Sequence, residues 1–114
     1  MDILNIIFAL LTIGLGAVGW LAPKYTLETL HLTGHTDTMG LSEIRASAGA
    51  LFIGMGVGAL VLNTPVAFAM IGFCWLGASA GRLTSLIKDG RTNKKWGFFI
   101  CEIIVGAGAL IYNL

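Results

Sequence analysis

Charge is what this 114-residue chain has least of: seven Lys and Arg and six Asp and Glu, 11% of the sequence, for a net charge of +1. A domain that faces water on all sides carries about 25% charged residues, so this chain cannot cover itself in water. The near-neutral balance also lacks the basic face that nucleic-acid binding needs. Two cysteines are too few for a disulfide scaffold, and a 56% hydrophobic content is too high for a disordered segment. No glycine-rich phosphate loop, nucleophile elbow, HExxH or CxxC occurs. The absences leave a lipid bilayer as the natural solvent and partner, and they imply no cofactor.

Long apolar runs are what the chain has instead, with a mean hydropathy of +0.86. A spanning helix needs about 20 mostly apolar residues, because the hydrocarbon is about 30 Å thick and each helical residue rises about 1.5 Å. Four stretches qualify: 3–21, 42–62, 65–87 and 96–112. They predict an all-α, integral membrane four-helix bundle forming a single domain over 1–114. Continuous rather than alternating apolar runs, interrupted by glycines, speak against a transmembrane β-barrel. Asp2 in place of a basic leader and Pro23 directly after Ala22 favour a retained first helix over a cleaved signal peptide. Lys88, Arg91, Lys94 and Lys95 face Asp89 alone in the third connection, and Lys24 lies in the first. The positive-inside bias then puts both longer connections in the cytoplasm and both termini outside. The same basic side chains can touch anionic headgroups at about 1 kcal/mol each.

Helices associate in lipid through close backbone approach and polar contacts, since lipid tails are as apolar as leucine. The second span offers small residues at every fourth position, Ala46, Ala50, Gly54 and Gly58, and the third offers Gly77 and Gly81; Gly106 and Ala109 give the fourth a small surface. These rows predict packing within the chain, with dimerisation as the alternative. Between spans, Tyr25, Leu27, Leu30 and Leu32 alternate with Lys24, Glu28 and His31, as in a short interfacial helix. His31 and His35 stand four apart, but Gly34 lies between them and no third ligand accompanies them, so no metal site is expected.

Four ionisable residues fall inside the spans: Glu43, Arg45, Arg82 and Glu102. Each costs about 2.5–3.5 kcal/mol at mid-bilayer on insertion scales. By helical rise Glu43 and Arg45 lie within about 5 Å of one boundary, Arg82 about 8 Å and Glu102 about 9 Å inside the same one. Opposite charges in one layer predict an ion-pair network, with Arg82 as hub because a planar guanidinium holds carboxylates at two points, and with Glu102 as its partner. Glu43 and Arg45, two apart on a helix, address different neighbours. Ser79, Thr84 and Ser85 are placed to complete the hydrogen bonds of Arg82. Cys74 and Cys101 differ in depth by about 9 Å, too far for a disulfide.

Three stretches carry a family resemblance: Ser42-Glu43-Ile44-Arg45-Ala46 entering a small-residue span, Gly81-Arg82-Leu83-Thr84-Ser85 running on to Lys88-Asp89-Gly90, and Glu102 in the last helix. Over about 42–110 the chain resembles a family of small four-span bacterial membrane proteins catalogued as a domain of unknown function, similar in layout to DoxX-like proteins. The resemblance implies the fold, a bacterial inner membrane, and weight on Glu43, Arg45, Gly81, Arg82, Asp89, Gly90 and Glu102. It implies no reaction. Where family members carry larger residues and a Gly-Gly pair, this chain has Ser47-Ala48-Gly49-Ala50.

Two functions compete. In the first, Glu43, Arg45, Arg82 and Glu102 form a cluster that binds a small solute, a lipid headgroup or a proton, with transport requiring a homo-oligomer because one bundle of this size is narrow. In the second, the charges lock helix packing in an accessory subunit that docks a membrane-protein partner. An enzyme ranks third, because no nucleophile, metal set or cofactor signature stands beside the Glu/Arg pair.

Overall fold

The computed structural model describes residues 2–32 and 38–114, which form helices and turns with no strand among them. Helix α1 covers Ile3–Leu21, α2 Pro23–Thr29 and α3 Met39–Arg45; a five-residue π-helical turn, Ala46–Ala50, joins α3 to α4, Leu51–Leu62. Helices α5, Pro65–Lys88, and α6, Asn93–Asn113, complete the order. The chain is all-α, and its four segments long and apolar enough to cross a membrane are Ile3–Leu21, Met39–Leu62, Pro65–Lys88 and Asn93–Asn113.

Each start has a local cause. The Asp2 carboxylate accepts from the Leu4 N–H at 2.9 Å, and the Thr64 and Thr92 hydroxyls accept from Ala67 and Lys95 at 3.3 and 3.1 Å. The Thr92 cap begins α6 three residues before its apolar run, since Asn93, Lys94 and Lys95 are polar yet helical. Likewise α3 begins at Met39 rather than at residue 42. Pro23, lacking an N–H, ends α1 and occupies the first position of α2.

Close contacts divide the chain into two compact units, 2–61 and 62–114. Within the first, the widened turn arises where the Ser47 hydroxyl takes the Glu43 carbonyl at 2.6 Å and the Leu51 N–H reaches back five residues to the Ala46 carbonyl. That turn lies directly on α1. A Cβ on Gly16 would stand 2.6 Å from the Gly49 oxygen, and one on Gly49 would stand 2.5 Å from the Trp20 nitrogen. Gly19 faces the Ala48 carbonyl equally closely, and a Cβ on Gly56 would meet the Ala9 oxygen at 2.8 Å. The two spans therefore touch backbone to backbone.

The second unit is an antiparallel hairpin of α5 and α6, as shown by Gly72 lying against Gly106 and Leu110 while Arg82 lies against Glu102 and Phe98. Its core is a helical stripe, Phe68, Ile71, Trp75, Ser79 and Leu86, facing Glu102, Val105 and Ala109. The turn between the helices passes through Gly90 at φ +93°, a conformation that favours glycine. A Cβ on Gly72 would be 2.6 Å from the Leu110 nitrogen, and one on Gly106 would be 2.9 Å from the Leu76 nitrogen, so these glycines carry the contact. Gly77 and Gly81 have nothing within 4 Å of an added Cβ. Gly72→Ala is accordingly expected to lower stability by about 1–3 kcal/mol through overpacking, and Gly77→Ala to leave it unchanged or raise it by up to about 1 kcal/mol through helix propensity. Unfolding in mixed micelles followed by helicity would read both, and equal losses would contradict this packing.

Candidate functional site

Two places in the fold gather polar chemistry, one in each unit. The first begins at the end of α1. Pro23 has no N–H for the Gly19 carbonyl and α1 ends at Leu21, so side chains join the backbone donors at its last turn. The Thr26 hydroxyl donates to the Val18 and Ala22 carbonyls at 3.4 and 3.1 Å, and Arg45 Nη1 donates to the Trp20 carbonyl at 2.7 Å. A cation at the negative pole of a helix is favoured. Arg45 is thus held by a backbone oxygen, while Glu43, two residues earlier, is exposed.

Beside this contact opens a groove of about 560 Å³, lined by Trp20, Thr38, Leu41, Ser42, Arg45, Ala46 and Ala50. Leu41, Ser42 and Arg45 stand at i, i+1 and i+4 on α3, and Thr38, the residue just before that helix, lines the groove with them. Ala46 and Ala50 continue that wall through the π turn, and Trp20, 45% exposed, closes it from α1. A guanidinium has about five N–H donors, and the Trp20 carbonyl takes one of them. Among the described residues its walls carry two hydroxyls, a guanidinium and no carboxylate, which suits a ligand that accepts hydrogen bonds or carries negative charge. Among these lining residues only Arg45, Ala46 and Ala50 were expected to matter. The spacing of Thr38, Ser42 and Arg45 was the signal for the two hydroxyls.

The second place lies between α5 and α6, about two turns from the hairpin bend. Arg82 Nε lies 3.2 Å from Glu102 Oε1, and Arg82 Nη2 lies 3.5 Å from Oε2, a side-on pair. The Arg82 Cζ sits 5.1 Å from the centre of the Phe98 ring, so Phe98 and Glu102, one turn apart on α6, form a notch for the guanidinium. Glu102 is 8% exposed, whereas the Arg82 side chain is 31% exposed. Sequence reasoning placed the pair but missed the ring. Ser79 and Thr84 do not complete the set: their hydroxyls donate to the Leu76 and Ala80 carbonyls of their own helix at 2.7 and 3.0 Å. A serine or threonine in a helix finds its own preceding turn nearer than a neighbouring side chain.

The remaining candidates are dispersed. Gly54 and Gly58 have nothing within 4 Å of an added Cβ, and Ala46 is exposed. Asp89 and Gly90 form the hairpin turn, where Lys95 Nζ donates to both carbonyls at 3.4 and 3.0 Å. Cys74 and Cys101 are free thiols, the first half-buried and the second exposed. His31 is exposed with φ +56°, and His35 lies outside the described residues. Among the described residues, no three His, Cys, Asp or Glu side chains come together as a metal site.

Comparison with curated proteins and with solved structures finds no match. A family profile does match, over residues 1–113, and it includes the first span and its connection as well as the Glu-Ile-Arg and Gly-Arg-Leu stretches. This chain belongs to the family described as the domain of unknown function DUF4345.

Proposed function

We propose that the protein is a membrane-embedded binding module that takes a small anionic or hydrogen-bonding ligand in the groove beside Arg45, with the α5–α6 hairpin as a rigid second pair of spans. The observation that carries this reading is the groove itself, whose volume of about 560 Å³ is in the range of small-molecule sites and whose only charged lining residue among the described residues is a guanidinium. The π turn at its edge supports it, since such turns recur at functional sites. The basic bias of the connections supports a cell-membrane orientation with both longer connections cytoplasmic and both termini outside. Movement of a solute across the membrane would require several copies.

The Arg82–Glu102 pair favours a second reading for its own unit: opposite charges that satisfy each other fix the register of two helices, as an accessory subunit needs. Filling the groove separates the two. Millimolar glycerol 1-phosphate is expected to raise the unfolding midpoint of the protein in neutral detergent and to leave the midpoint of Ser42→Trp unmoved. Loss of that difference would leave only the accessory reading.

A further inference from the structure

We infer that the ligand of the groove is one anionic phospholipid, its phosphate on Arg45, Ser42 and Thr38 and one acyl chain along the small-residue row of α4. This rests on the reading of the groove as a ligand site. Depth is the first argument. The groove opens at the last turn of a spanning helix, beside the half-exposed indole of Trp20, and Trp rings collect at headgroup level. Charge is the second. Among the described residues Arg45 stands with two hydroxyls and no carboxylate, and a planar guanidinium matches a phosphate at two points.

The third argument concerns what lies below the groove. Ala46 and Ala50 form its wall, and the same helix continues to Gly54 and Gly58, where an added Cβ would meet nothing within 4 Å. Val57 and Val61, 45% and 77% exposed, stand along one side of that row, and Leu51, 56% exposed, stands on the other. The result is a shallow furrow between larger side chains. From Ala50 to Gly58 it runs about 12 Å, most of one leaflet's share of a hydrocarbon about 30 Å thick. A water-soluble anion uses the head of this site and not the furrow. A phospholipid uses both.

Native mass spectrometry of the purified protein, titrated with dioleoylphosphatidylglycerol, dioleoylphosphatidylcholine or glycerol 1-phosphate, tests the inference. Phosphatidylglycerol is expected to bind at about tenfold lower concentration than phosphatidylcholine, a difference of about 1.4 kcal/mol. Arg45→Lys, which keeps a cation for the Trp20 carbonyl but loses the fork, is expected to erase most of that preference. Gly54→Leu with Gly58→Leu is expected to weaken phosphatidylglycerol about tenfold and leave glycerol 1-phosphate unchanged, with helicity and elution volume as fold controls. Glycerol 1-phosphate binding as tightly as phosphatidylglycerol, with no effect of the leucines, would overturn the lipid and leave the groove reading standing. Failure of every probe would overturn both. Efficient disulfide cross-linking of Gly58→Cys between two copies would show a second chain on the row and overturn the lipid.

Discussion

Arg82→Gln is expected to destabilise the protein by about 2–3 kcal/mol, Glu102→Gln by about 1 kcal/mol, and the double variant by clearly less than the sum. The asymmetry follows from burial. Removing one partner of a fully buried pair costs about 3–5 kcal/mol, because the survivor is left desolvated. Glu102, 8% exposed, becomes that survivor when Arg82 is lost; the 31% exposure of the Arg82 side chain lowers the cost below the fully buried limit. In the opposite variant Arg82 keeps the Phe98 ring 5.1 Å from its Cζ and can extend its long stem toward a polar layer. Two glutamines can hydrogen-bond each other, so a double-mutant cycle should give a coupling of about 1 kcal/mol or more. Unfolding by dodecyl sulfate in mixed micelles, followed by helicity, measures all four corners. Equal single effects with an additive double would show that the pair contributes nothing to the hairpin.

Gly19→Ala is expected to be the more damaging change, at about 3 kcal/mol, the upper end of overpacking costs. A methyl at this position meets the Ala48 carbonyl oxygen and carbon and the Gly49 Cα, all of them backbone. No side chain can rotate away, so the two spans must separate. Separation also draws the Trp20 carbonyl away from Arg45 Nη1, now 2.7 Å apart, so the groove should fail along with stability. Gly14→Ala is the control, since nothing lies within 4 Å of its added Cβ. The same unfolding measurement reads both, and a loss below about 0.5 kcal/mol for Gly19→Ala, the range of ordinary surface changes, would refute a backbone contact between α1 and the π turn.

These particulars show what the sequence could and could not carry. The spans were legible because hydropathy reports transfer into lipid directly, and the segment 3–21 coincides with Ile3–Leu21. The starts of α3 and α6 were not, because Met39 and Asn93 are set by helix continuity and capping rather than by apolar content. Depth counting brought Arg82 and Glu102 together, since each has an obvious opposite. It could not find the partner of Arg45, because a backbone carbonyl left open at the end of a helix has no letter of its own in the sequence. Counting by fours through Ala46, Ala50, Gly54 and Gly58 assumed an ordinary helical pitch. The turn at 46–50 is wider, and the glycines buried against α1 are Gly49 and Gly56.

That wide turn has a mechanical consequence. It holds one residue more than its hydrogen bonds need, like slack wound into a coil. Drawn back to ordinary pitch, it would rotate the short helix before it by about 100° relative to residues 51–62, one residue's worth of arc, and would have to give up its backbone contact with α1. The guanidinium and both hydroxyls would swing away as a set. The head of the site and the rod beneath it are in this sense separate parts, joined by a turn whose pitch sets the angle between them.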